Sequence, residues 1–439
     1  FRTEIRDIEE KIELEEINHN NGEEFQFGSL EKLIGRTDEY NEILSMEDGK
    51  LVYDPEKVSD KQKEWLEEMD IQARKDIIPI YTAEQLKKIR SDEEIEIQEV
   101  GRTYRFISSA NYSIQNDIDL QGSETNKWEP LGTFEGNLEG NGYKISNLYM
   151  NFIEGAKGMF SSNTGMIKNI VIKDCNMKIG YSSGIICGTN NGTIENIKTY
   201  GEVEATSTSA GGSAIGSICG TNGGNGKIFK VYNYATITGK SAIAGGICGQ
   251  NRGIIMQCVN EGKIWKTGSR GGGIAGVNYH TIEECINRGE ISSSENYTWD
   301  EGGICGFNYG KIQSCYNLGS LGTAGLRERY IGGITGVNNE EESEVINCYS
   351  IAEIHGEHFG GIVSTNSGTV TNCWFVKKGN YDIQLSTSTG TVESSGEKTE
   401  SEMKENTFLD LLNAGDDEVV WKIDSRKNNG YPYLVWEDE

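Results

Sequence analysis

Ten cysteines, four histidines and a scatter of carboxylates are the residues of this 439-residue chain whose types carry reactive chemistry. Each chemistry needs its own spacing. A zinc centre wants CxxC-type clusters joined by histidine. The cysteines instead run singly between Cys175 and Cys373, and His19, His280, His355 and His358 stand apart from them. A metallopeptidase helix needs His-Glu-x-x-His. The nearest spacing, His355-Gly-Glu-His358, has the wrong register. Asp117-x-Asp119-x-Gln121-Gly122 begins like a calcium loop, but Trp128 stands where the bidentate Glu belongs, so a strand end with a turn is the plainer reading. GTNGGNGK at Gly220 has the wrong glycine spacing for a phosphate loop, and Ile228 stands where Ser or Thr should. Glycosidases and lyases need carboxylate pairs, or calcium with a base, across neighbouring strands. The acidic residues are scattered as Glu283 and Glu284, Asp300 and Glu301, and Glu340 to Glu342. No cofactor and no metal is assigned.

The elements that would hold these residues are set by an internal repeat. GGICGQNRGIIMQC from Gly245, GGIAGVNYHTIEEC from Gly272, GGICGFNYGKIQSC from Gly302 and GGIVSTNSGTVTNC from Gly360 align without gaps. GGITGVNNEEESEVINC from Gly332 adds a short insertion, and looser copies start at Gly158, Ser183 and Gly216. One Asn recurs in every copy: Asn163, Asn190, Asn222, Asn251, Asn278, Asn308, Asn338 and Asn366, spaced by 27 to 32 residues. A unit that short buries its apolar side chains only against its neighbours. Alternating apolar positions, as in Gly310-Lys311-Ile312-Gln313-Ser314-Cys315, and a glycine every few residues favour strands over helix. Proline is confined to positions 55, 79, 130 and 432, so nearly every backbone N–H between Pro130 and Pro432 can join a ladder.

The expected fold is therefore mainly β: a right-handed parallel β-helix, or β-solenoid, of about eight to ten coils. The recurring Asn is expected to point inward at a corner and bond the amide of the next Asn. Asn317 is assigned to an outer turn. Nine of the ten cysteines fall in two repeat columns: Cys187, Cys219, Cys248 and Cys305, then Cys258, Cys285, Cys315, Cys348 and Cys373. Interchange with Ile, Val, Ala and Thr in other copies points to buried core thiols. Disulfides between neighbouring rungs and a metal site are the other readings.

The unit GGICGxNxGxIxxC resembles the GLUG-motif repeat of bacterial surface proteins, which includes the non-catalytic part of some IgA1-specific metallopeptidases. The lead-in YTAEQL at Tyr81, NDIDL at Asn116, WEPLG at Trp128 and GTFEGNLEGNGYKISNL at Gly132 resembles the start of such proteins. FLDLLN at Phe408 and NNGYPYLVW at Asn428 resemble their usual end. The segment TEIRDIEEKIELEEI at residues 3–17, with Ile5, Ile8 and Ile12 on one helix face, is similar to the stretch just after the hydrophobic helix of type IV pilin-like proteins of Gram-positive bacteria. The resemblance implies an extracellular location on a bacterial cell surface, with self-assembly through the N-terminal region if a hydrophobic helix precedes Phe1.

The chain divides into three expected regions. Residues 1–80 are expected to hold the N-terminal helix and a small α+β unit, with a hairpin around Asp48-Gly49 and a helix after Ser59. Residues 81–383 form the solenoid. Residues 384–439 form a low-complexity linker at Ser386, a helix over 399–414 and a strand containing Tyr431 to Trp436, which together cover the open end of the solenoid. Net charge is −27, and residues 1–100 carry 29 acidic against 14 basic side chains, so nucleic acid is excluded as a partner. No apolar run reaches membrane-spanning length.

The third side of each coil varies most. It carries Trp265, Tyr297, Trp299, Tyr330 and Phe359, with Lys266, Arg270, Arg327 and Arg329. These are the expected ligand face, with a glycan or a host or cell-surface protein as partner. The leading expectation is a non-catalytic surface or pilus-associated scaffold or adhesin. A polysaccharide-acting β-helix enzyme is the alternative.

Overall fold

The computed structural model describes residues 44–47, 50–53, 77–152, 155, 157–206, 213–240, 243–267, 270–293, 300–325, 330–356, 359–376, 387–414 and 419–438. The chain divides into two compact units, Phe1–Ile78 and Pro79–Glu439. In the first, strands Leu44–Glu47 and Lys50–Tyr53 pair antiparallel, with Glu47 opposite Lys50, which is the hairpin expected around Asp48-Gly49. The helices expected over residues 3–17 and after Ser59 lie outside the described residues.

The second unit is a parallel β-solenoid of about nine turns, and half of the described residues are in strands and 7% in helix. One coil runs through Arg270–Gly272, Ala275–Asn278, Thr281–Glu283, Ile286–Asn287 and Ile291–Ser293 before the next begins at Asp300. Among the described residues, its strands join three sheets, of six, ten and 25 strands. Apart from a register shift between Ile172 and Cys175, equivalent residues pair one for one, so the repeat of the sequence becomes a set of columns along the axis. Asn278 lies against Asn308, and Ile282 against Ile312.

The main apolar column begins at Tyr112 and Leu138 and continues through Ile167, Ile194, Ile228, Ile255, Ile282, Ile312, Val345 and Val370 to Val392. Every member up to Val370 is buried. Between this strand and the next, successive coils place one residue in the left-handed region, as at Gln257 (φ 55°), Glu284 (φ 49°), Ser314 (φ 51°), Asn347 (φ 51°) and Asn372 (φ 52°). A non-glycine residue there is strained. The strain recurs at the same corner because that single residue turns the chain from one wall to the next.

The eight recurring asparagines form one continuous amide chain. Each Nδ2 donates to the Oδ1 of the next, from Asn163 to Asn190, Asn222, Asn251, Asn278, Asn308, Asn338 and Asn366, at 2.8 Å in all seven steps. The same side chains close the corner locally. Asn308 donates to the Gly310 carbonyl at 2.9 Å and accepts from the Gly310 N–H at 3.2 Å.

A second amide chain runs two residues after the second cysteine column. Thr199 Oγ1 donates to Asn233 Oδ1, and the line continues through Asn260 and Asn287 to Asn317 at 2.7–2.8 Å. Asn317 is fully buried. The sequence reading that placed it in an outer turn is thereby corrected. The Tyr-Asn and Ile-Asn pairs look like surface turns in one copy, and only the Cys-x-Asn spacing across copies marks them as inward. This second chain also explains the paired glycines. A Cβ at Gly273 would lie 2.3 Å from Asn287 Cγ, and one at Gly303 the same distance from Asn317 Cγ.

All ten cysteines are buried and unpaired. Cys187, Cys219 and Cys248 stack on consecutive rungs, with Ala275, Cys305, Thr335 and Val363 completing the column. In the other column the Cys285 N–H points at Cys315 Sγ, 3.3 Å away, and the Cys315 N–H at Cys348 Sγ, 3.4 Å away. Burial pushes the thiols of Cys219, Cys258, Cys315 and Cys373 well above their usual range.

The C-terminal segment departs from expectation in three ways. The run expected as a linker adds another rung, with Thr391–Glu393 on Thr369–Thr371 and Gly396–Lys398 on Trp374–Val376. The helix is shorter, Asn406–Leu412, and Trp436 sits in a 3-10 turn after a two-residue strand, Tyr433–Leu434. The segment also straps the flank rather than covering the end. Phe408, Leu412, Trp421, Leu434 and Trp436 pack on Val259, Ile286, Tyr316 and Tyr349. Trp436 Nε1 donates to the Glu284 carbonyl, and Glu437 accepts from Arg288 at 2.7 Å and from Tyr316 at 2.9 Å.

Two outcomes are expected. Asn308→Ala and Asn317→Ala each strand buried amides of two neighbouring rungs and lower stability by about 1–3 kcal/mol in denaturant titration, whereas exposed Asn225→Ala changes it by less than about 0.5 kcal/mol. A normal midpoint for Asn317→Ala would contradict the second amide chain. Iodoacetamide should label none of the ten thiols in the native protein and all ten after unfolding, read by intact mass.

Candidate functional site

Among the described residues, outward positions of the 25-stranded sheet hold the most accessible indole. In Ile264–Thr267 the Ile264 side chain points into the core, so alternation turns Trp265 outward, where it is 48% exposed. Its register neighbours are Thr238 on one side and Ser292 on the other. Both are short, so neither rung covers the ring with a bulky side chain. Two residues earlier, Lys263 pairs with Glu290 of the next rung at 2.9 Å, and Glu261 pairs with Arg288 at 3.0 Å. The Lys263 ammonium is 5.7 Å from the Trp265 ring centroid and holds the Glu290 carboxyl below its usual range. An indole beside the partly exposed Thr238 hydroxyl and a fixed ion pair, with Ser292 buried on its other side, can stack on the C–H face of a sugar ring while Thr238, Lys263 and Glu290 meet its hydroxyls.

Several other surface aromatics have their faces occupied. Tyr279 and Tyr309 stack at 5.0 Å and 2°, with the Arg252 guanidinium 4.4 Å over Tyr279. Tyr200 and Tyr234 stack at 4.6 Å and 6°, with Lys173 Nζ 3.3 Å over Tyr200. Arg270 lies 3.9 Å over Phe307 and pairs with buried Asp300 at 3.2 Å. These groups stiffen the outer corners through ring stacking and cation–π attraction. The residue after each first-column Asn gives the signal, since Arg252, Tyr279 and Tyr309 occupy that one position in three copies.

The expected ligand face is only partly assembled. Tyr297, Trp299, Arg327 and Arg329 lie outside the described residues, as does the side chain of Lys266. Tyr330 and Phe359 are half-buried beside the six-stranded sheet, where Phe359 is in register with Ile331, the residue after Tyr330. Trp265 stands on a different sheet.

The acidic motifs turn to their own surroundings. Asp117 accepts from the Lys144 N–H at 2.9 Å, and that bond holds its carboxyl low. Asp119 accepts from Asn147 Nδ2 at 2.7 Å and the Gln121 N–H at 2.8 Å, with the same effect. In GTNGGNGK, Asn222 belongs to the first amide chain and the Gly226 N–H closes a turn on the Gly223 carbonyl. Gln257 donates to Glu284, and Asn339 to Glu340. Among the described residues, no group of three or more His, Cys, Asp or Glu is placed to hold a metal.

No protein-family model matches the chain. Over an alignment of 118 positions that covers 23% of this chain, the sequence is 29% identical to part of halomucin from Haloquadratum walsbyi, and it spans about 1% of that protein. Two solved structures align at low similarity. One is a crystal structure of a candidate immunoglobulin A1 protease from Bacteroides ovatus, with 20% identity, a TM-score of 0.44, and coverage of 82% of this chain and 92% of that one. The other is named IgA1 Protease, with 18% identity, a TM-score of 0.42, and coverage of 70% of this chain and 22% of that one.

Proposed function

We propose that this chain is a non-catalytic extracellular scaffold of a bacterial cell surface whose solenoid displays a glycan-binding shelf centred on Trp265. The open indole between Thr238 and Ser292 carries this reading. The amide chains and apolar column hold the shelf on a regular wall, so the ring is positioned before any ligand arrives. The resemblance of the repeat to the GLUG motif supports the surface location. The described acidic side chains with resolved partners are engaged in ion pairs and turn bonds, which supports a structural use for them.

A glycan array joined to a reducing-end release assay on the retained glycans tests the reading. Retention of one glycan class is expected, weakened roughly 10–30-fold in Trp265→Ala, the size of an aromatic contact at a binding hot spot. No new reducing ends should appear. Turnover that disappears when one carboxylate cluster is neutralised would overturn the proposal in favour of a polysaccharide-acting enzyme. Absence of retention across the array would overturn it in favour of a plain spacer.

A further inference from the structure

The two ends of the main apolar column differ. Its first member, Tyr112, is 1% exposed, and its last, Val392, is 47% exposed. Residues 80–106 bury Ile80, Leu86, Ile89, Ile97 and Phe106 at the first end, and Phe106 leads a chain of ring contacts through Tyr112 and Phe134 to Phe160. The helix Ala83–Lys88 there is fixed by a capping box between Thr82 and Gln85. At the other end, Thr391–Glu393 pairs with Thr369–Thr371 and, among the described residues, no strand lies on its other edge. A strand edge offers a row of backbone donors and acceptors, and another strand satisfies them best.

We propose that the Thr391–Glu393 edge is an isologous interface that joins two copies of this chain tail to tail, across a two-fold axis at Val392. Three observations select a second copy in this orientation. Head-to-tail stacking is blocked, because the first end is already covered by residues 80–106. Continuation by a further parallel coil is disfavoured, because Glu397 stands in the inward column held by Asn317, Ser350 and Phe375, where the interior would have to receive a carboxylate. The sequence Thr-Val-Glu is compatible with itself when antiparallel. Val392 meets Val392, burying apolar surface that is otherwise half exposed, and Thr391 faces Glu393, so no like charges oppose one another.

The 439-residue chain in analytical ultracentrifugation should shift with concentration from 48.5 kDa to twice that mass and stop there. Val392→Lys should stay monomeric with an unchanged melting temperature, since the side chain is exposed. Val392→Cys gives the geometric check, because directly opposed residues in an antiparallel pair sit within disulfide reach. Under diamide, which accepts the two electrons and the two thiol protons, this variant should form a single cross-linked dimer through the introduced thiol alone, the ten native thiols being buried. A wild type that remains monomeric at all concentrations and a Val392→Cys that does not cross-link would overturn the proposal. So would oligomers larger than a dimer.

Discussion

The rest of the solenoid depends on the side-chain amide bond from one rung to the next. An asparagine amide has donors on one atom and an acceptor on the other. Stacked in a parallel register, each can donate forward and accept from behind without changing rotamer. Seven steps at one distance show that the register never slips along the first column. A slip of one residue would turn the apolar column outward and break every amide contact together. That constraint keeps insertions such as Glu340–Glu342 in a turn, where Asn338 simply reaches across to the Ser343 carbonyl.

Two such chains in one cross-section set the interior dimensions. The second fills the space that the paired glycines leave open, so Gly-Gly and Cys-x-Asn are two halves of one packing solution. The coil after Gly333 illustrates the coupling. There the opposing residue is Ser350 rather than Asn, and a Cβ on Gly333 would still lie 2.7 Å from its hydroxyl. At Gly361 the ring of Phe375 takes the same place. The cysteines belong to this economy of volume. They occupy positions where Ala, Thr and Val also appear, and their Sγ atoms lean on carbonyls of their own corner, as Cys315 does on Gln313.

Legibility in the sequence comes directly from repetition. The first amide column, both cysteine columns and the parallel coil are readable because eight copies say the same thing. Asn317 is misread because its neighbours Asn233, Asn260 and Asn287 sit outside the best-aligned block of the repeat. The left-handed corner is also hidden, since Lys, Gln, Glu, Ser and Asn share it and only backbone geometry unites them. The C-terminal strap is unreadable for a different reason. Its grip on Tyr316 and Tyr349 is a contact between segments about a hundred residues apart, and no periodicity links the two. Trp265 is legible as a surface aromatic, but its separation from Tyr330 and Phe359 requires knowing which sheet each strand joins.

The same regularity decides where recognition can lie. Inward positions are committed to register and volume, so a change there is felt by the rungs on either side. The stacked corners are committed as well, because Tyr279 and Tyr309 cover each other and Arg252 covers the outer face of Tyr279. On a sheet wall a large side chain retains a free face where the adjacent rungs are short in its column. Trp265 satisfies that condition between Thr238 and Ser292, and Val392 satisfies it because the column ends. One is an open surface along the rod and the other an open surface at its tip. A ligand on the first and a second copy on the second do not compete, since Trp265 and Val392 lie several rungs apart on the same parallel sheet.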